Sequence, residues 1–117
     1  MSAGTQKLVI DQGADWYCNF VYYSDAAQTT PVNLTGYTAK MQARSNVSDS
    51  KAVLTLTTGN GITITGATGT IALHATAIQT AAIVAGYYLY DLEITSGAGI
   101  VTRLIQGQLE VSASVTR

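Results

Sequence analysis

The run Tyr87 to Thr95 (YYLYDLEIT) alternates without interruption, with Tyr88, Tyr90, Leu92 and Ile94 on one side and Leu89, Asp91 and Glu93 on the other. Side chains at a two-residue period fall on opposite faces of a β-strand, so one face of this segment suits a core and the other suits solvent. Similar short runs, rich in Val, Ile, Tyr and Thr and bounded by Gly, Asn, Asp and Ser, recur along the chain. About eight or nine of them, spaced by roughly ten residues with almost no helix between, predict an all-β fold. The expected architecture is a two-sheet antiparallel β-sandwich of Ig-like size, with a small barrel as the alternative closure. The 117 residues are enough for one hydrophobic core, and a single domain over 1–117 is expected. No long internal repeat points to a solenoid or propeller.

Near the start, Thr5 to Asp11 and Asp15 to Tyr23 read as strands joined across Gln12-Gly13-Ala14. In the second, Trp16, Cys18, Phe20 and Tyr22 share the face expected in the core, leaving Tyr17, Asn19, Val21 and Tyr23 outward. Ser24 to Thr35 holds the only proline, Pro31, in a polar stretch and reads as a long connection. Gly36 to Arg44 alternates Tyr37, Ala39, Met41 and Ala43 against Thr38, Lys40, Gln42 and Arg44, a strand with one wet face. Asn46 to Ser50 breaks the pattern and Ala52 to Thr57 resumes it. Gly-rich turns at Gly59 to Gly61 and Gly66 to Gly69 bracket Ile62 to Thr65, predicting two hairpins that end in Thr70 to His74. Ala75 to Val84 is the one stretch with helical character, with Ile78, Ala81 and Ala82 at spacings of three and four. One or two helical turns near 75–84, closed by Gly86, are expected. The tail supplies Gly99 to Gln106 and Gln108 to Val115, hinged at Gly107.

Charge is sparse. Only 11% of residues are charged, against about a quarter in ordinary soluble domains, while the apolar fraction is 47%. Thr, Ala, Gly and Ser take the place of the missing charges, giving a surface that costs little to desolvate against neighbours. A net charge of -1, spread along the chain, offers no footprint for nucleic acid or anionic lipid. Cys18 is the lone cysteine, so an intrachain disulfide and a cysteine-based metal site within one chain are both excluded. Met1 to Gln6 has no basic stretch leading into an apolar run, and no segment reaches the roughly 18 apolar residues of a membrane span. A soluble protein without a conventional export signal is expected.

Catalysis needs converging titratable groups. The single histidine, His74, reads as a strand-end residue, and no HExxH, CxxC, GxSxG or Walker-type sequence occurs. The Gly59 to Gly69 segment lacks the lysine and following helix of a phosphate cradle, and reads as turns. Asp91 and Glu93 share a strand face, as paired carboxylates of glycosidases or metal sites do. Ion pairing with Lys40 and Arg44 on an adjacent strand explains them equally simply and is the preferred reading. No catalytic, cofactor-binding or metal-binding residue is assigned, and no cofactor is expected. Tyr17, Tyr23 and Tyr87 are the tyrosines expected to face away from the core, and they mark the possible interaction surface.

The segments DQGADWYCNFVY (Asp11 to Tyr22), LTGYTAKMQAR (Leu34 to Arg44), GYYLYDLEIT (Gly86 to Thr95) and the closing VTR (Val115 to Arg117) cover much of the chain in order. Together they resemble the small tail-associated or virion structural proteins of tailed bacteriophages and prophages. The likeness extends to the N-terminal domain of baseplate upper proteins, which carries a similar pair of strands around an LTG turn. Those proteins continue into further domains, so a receptor-binding scaffold role is not carried over. The resemblance implies a β-sandwich that docks onto other phage structural proteins in the virion after assembly in the bacterial cytoplasm, with no catalytic residues. Phage parts are usually built with rotational symmetry, so a homo-oligomer in the particle is expected.

Three functions follow in order of expectation. The first is a structural or adaptor module at the tail, baseplate or neck, with head decoration as its variant. The second is a carbohydrate-binding module, which needs exposed coplanar aromatics in a groove. The third is a hydrolase, which needs Asp91 and Glu93 in a cleft without a basic partner.

Overall fold

The computed structural model describes residues 4–23, 30–46 and 51–113. Residues 1–3, parts of the expected connection (24–29) and break (47–50), and the tail from 114, with the closing Val115 to Arg117, lie outside the described residues. The strands are β1 (Gly4–Thr5), β2 (Leu8–Asp11), β3 (Trp16–Val21), β4 (Thr38–Arg44), β5 (Leu54–Thr58), β6 (Gly61–Thr65), β7 (Thr70–Ala75), β8 (Gly86–Thr95) and β9 (Val101–Ser112). Among the described residues, one α-helix, α1 (Ala77–Ala81), and a single 3-10 turn at Gly66–Thr68 complete the elements.

Hydrogen bonding runs continuously in the order β1-β9-β8-β4-β5-β6-β7-β3, with β2 also on β9. The ladder folds over where β5 and β6 touch through only Thr57 to Gly61 and Thr58 to Ile62. One layer is therefore β5-β4-β8-β9 with β1 and β2, and the other is β6-β7-β3. Their inward residues meet in one core that includes Met41, Leu56, Leu92, Ile94 and Leu109 from the first layer and Trp16, Ile62, Ile71 and Leu73 from the second. The result is the expected all-β sandwich of Ig-like size. Most neighbours are antiparallel, but β1 and β2 run parallel to β9 and the β5–β6 contact is parallel too.

That last contact corrects the first expected hairpin. Gly59 and Gly61 have φ of 84° and 99°, and they swing the chain out of the β5 plane so that Ile62 comes to stand opposite Leu73. A Cβ at Gly61 would lie 2.5 Å from the Leu56 side chain, so glycine is required here for space as well as for φ. The β6–β7 hairpin forms as expected, through the 3-10 turn.

Gly107 is not a hinge. β9 passes through it unbroken, opposite Tyr90, and a Cβ there would collide with the Gln6 carbonyl. The glycine lets the Gln6–Lys7 step between β1 and β2 press against β9, which is why the expected strand Thr5 to Asp11 is split. The true irregularity in β9 is a bulge: Leu92 pairs with Ile105 but Glu93 pairs with Arg103, leaving Leu104 as the extra residue.

The helix forms where expected but for different reasons. Thr76 and Gln79 make a reciprocal capping box, and the Asp15 carboxylate accepts from Ala77 N–H at 2.6 Å. It ends at Ala82, while Gly86 opens β8. Ile78 points to solvent; the buried positions are Thr80 and Ile83. Thr80 Oγ1 donates to Ala14 O at 2.8 Å and accepts from Gly13 N–H at 3.1 Å, so the helix clamps the β2–β3 turn by a polar residue.

Candidate interaction surface

The outward face of the larger layer is where the chain's polar chemistry gathers. Thr5, Gln42, Arg44, Asp91, Glu93, Arg103 and Gln106 line a shallow groove of about 440 Å³ together with Leu89, Tyr90 and Gly107. The strand alternation of β8 sends Asp91 and Glu93 outward, as expected. Asp91 has a basic neighbour beyond the expected Lys40 and Arg44. Arg103 Nε lies 3.5 Å from Asp91 Oδ2, whereas Arg44 Nη2 donates to Gln42 Oε1 at 2.9 Å. Glu93 stands opposite Lys40 on β4 and Arg103 on β9.

The bulge at Leu104 is what brings Arg103 there. Ile105 faces inward opposite Leu92, and strict alternation would send Arg103 inward as well; one extra residue turns it to the wet face beside the carboxylates. A half-exposed pair of this kind contributes about 0–1 kcal/mol and holds the groove's floor more than it stabilises the fold. With a guanidinium beside Asp91, the two carboxylates do not stand as an isolated acid–base pair. Lys7 makes a second ion pair with Glu110 at 3.1 Å, and its ammonium lies 5.8 Å from the centroid of the Tyr87 ring.

The three tyrosines marked from the sequence are not brought together. Tyr87, 62% exposed, lies on the outer face of the larger layer, and Tyr17, 68% exposed, on the outer face of the smaller one. Tyr23 is half-buried, bridged to Pro31 just beyond β3. Tyr17 stacks flat on His74, with ring centroids 4.4 Å apart and planes 2° from parallel. His74 is the next-to-last residue of β7 and directly opposite Tyr17 in register; its Nε2 is buried without a hydrogen-bond partner. The remaining aromatics turn inward: Trp16, Tyr88 and Tyr90 are buried, and Phe20, Tyr22 and Tyr37 pack partly against the core.

Two groups respond to this packing. Burial pushes the Cys18 thiol above its ordinary pKa. Burial, and then the Cys18 thiol itself, push the Tyr90 hydroxyl up to about 12. Cys18 does not line the groove, and the Tyr90 hydroxyl is committed to Gln6 O, to which it donates at 2.6 Å. Among the described residues, no three His, Cys, Asp or Glu side chains gather as a metal site requires, and no helix is long and apolar enough to cross a membrane.

No family model matches the chain, and no curated protein matches it. Among solved structures, it is similar to CopC from Methylosinus trichosporium OB3b, at 12% identity and a TM-score of 0.49 over 99% of this chain and 90% of that one. It is also similar to murine CRIg, at 12% identity and a TM-score of 0.44 over 92% of each chain.

Proposed function

We propose that the chain is a structural or adaptor module of a tailed bacteriophage or prophage particle, at the tail, baseplate or neck, working by protein–protein assembly and not by catalysis. The observation that carries this reading is the outer surface. Tyr17, Val21, Tyr87, Leu89, Ile100 and Val101 are all exposed on a chain of which only 11% is charged. Apolar and aromatic side chains in a weakly charged setting are inexpensive to desolvate and suit burial against neighbours. The resemblance of the LTG and YDLE segments to virion structural proteins supplies the particle as the setting, and head decoration is the near variant.

The carbohydrate-binding alternative needs aromatic rings side by side in a groove. Tyr17 and Tyr87 sit on the outer faces of different layers, and the groove of about 440 Å³ has Leu89 and charged side chains where stacking rings would be needed. This arrangement favours assembly. Deleting the reading frame from the genome that encodes it tests the proposal: electron microscopy is expected to show particles arrested or missing a substructure. Particles of normal form and full infectivity without the chain would contradict it.

A further inference from the structure

The two ends of the ladder are built differently. At one end, β1 and β2 are pieces of two and four residues. Lys7 lies between them and Asp11 closes β2, and a short, interrupted, charged edge resists strand addition. At the other end, β3 is six residues long, and Trp16 to Tyr23 contains no charge, proline or glycine. Tyr22 N–H donates to Gly69 O at 2.9 Å and Tyr22 O accepts from Val32 N–H at 2.8 Å, so both groups of Tyr22 point to the β7 side. By the alternation of a strand, the N–H and C=O groups of Tyr17, Asn19 and Val21 point the opposite way. Among the described residues, no strand pairs with them there. The return through Pro31 and Val32 lies on the β7 side, and none of the described residues pairs with this edge.

We infer that this edge pairs antiparallel with the same edge of a second copy of the chain, about a twofold axis through Asn19. In that register Asn19 opposes its own counterpart, and Tyr17 opposes Val21 of the second copy on either side of the axis. All three outward-pointing backbone positions are satisfied in each chain. Tyr17 and Val21, 68% and 40% exposed, gain an apolar neighbour. On the inward side Cys18 meets Phe20 of the second copy, next to a cleft of about 100 Å³ lined by Phe20, Val21, Tyr22, Leu92, Leu104 and Ile105. An uncharged edge is complementary to itself: the twofold brings no like charges together, and an acidic or basic strand would find no counter-charge here. Such an interface is isologous and closes at two copies. It is small, so exchange between monomer and dimer is expected to depend on concentration.

The inference rests on the assembly reading and deepens it by naming the surface and the partner. The test is the solution mass of the purified full chain from about 10 μM to about 1 mM, a range that spans weak self-association. The mass is expected to rise from 12.2 kDa toward twice that value, with little effect of salt. The double variant Tyr17→Lys/Val21→Lys is expected to stay monomeric with an unchanged circular dichroism spectrum, because both positions are exposed. In a Cys18→Ala background, Asn19→Cys is expected to oxidise to a covalent dimer, since directly opposed Cα atoms about 5.5 Å apart suit a disulfide. Thr63→Cys, exposed on β6, serves as the control and is expected to remain largely monomeric. A monomer at every concentration, a dimer indifferent to the two lysines, or equal cross-linking of the control overturns the inference. A dimer that ignores the lysines leaves the assembly reading standing. A chain that pairs through β3 yet whose deletion leaves particles intact removes that reading and keeps the edge.

Discussion

The Tyr90 hydroxyl sits inside the sandwich with its proton committed to the Gln6 carbonyl, and burial followed by the neighbouring Cys18 thiol raises its pKa to about 12. The unfolded chain releases the same proton near pH 10. Below about pH 10 both states hold it, and stability does not depend on this group. From about pH 10 through about 12 the unfolded state alone ionises and binds fewer protons, so stability falls as pH rises. Tyr90→Phe is expected to flatten that alkaline fall in Tm while costing about 1 kcal/mol at neutral pH for the lost hydrogen bond. Thermal melts of both proteins across this range check it, and identical alkaline slopes would contradict the assignment. Leu92, fully buried between the layers, is the plainer case. Leu92→Ala is expected to cost about 2–5 kcal/mol in denaturant unfolding, and a loss below about 1 kcal/mol would mean that the core does not close over it.

At the scale of elements, α1 is held by a polar anchor. Thr80→Val keeps the side-chain volume but leaves Gly13 N–H and Ala14 O without their partner, so about 1–3 kcal/mol of destabilisation is expected, with Thr80→Ser much milder. Equal unfolding midpoints for the two variants would show that the clamp does not matter. This helix also marks how far the sequence could be read. Its position was legible from Ala75 to Val84, but its buried face was not, because a five-residue helix is too short for apolar periodicity to decide which side packs. Alternation placed the inward faces of β3, β4 and β8 correctly, since each keeps one register along its length. No such pattern carries through β9, where the Leu104 bulge reverses the sides, and Arg103 was not anticipated as the partner of Asp91. The readable signal was a charged residue on the side of Ile105, where an arginine would be buried without a counter-charge. Arg103→Gln is expected to change stability by less than about 1 kcal/mol, as half-exposed pairs do, measured by denaturant midpoint.

For the whole molecule, the fold follows from one weak joint. Because β5 and β6 share only two paired positions, the strands can fold into two layers around one core instead of remaining an open sheet. What remains outside is unusual for its shortage of charge, with tyrosines, leucine, isoleucine and valines in view on both layers. Tyr23 is half-buried just beyond β3, but the outward positions of Tyr17 and Tyr87 were legible from alternation. Their separation on different layers was not, because it depends on the order in which distant strands join the ladder. The exposed apolar side chains are thus spread over several faces, an arrangement that fits the proposed role of a component with neighbours on more than one side. The direct measurement is quantitative mass spectrometry of gradient-purified particles from the host that encodes the chain. The account predicts several copies per particle at a fixed ratio to another structural protein. A chain abundant in the lysate but missing from the particles would contradict it.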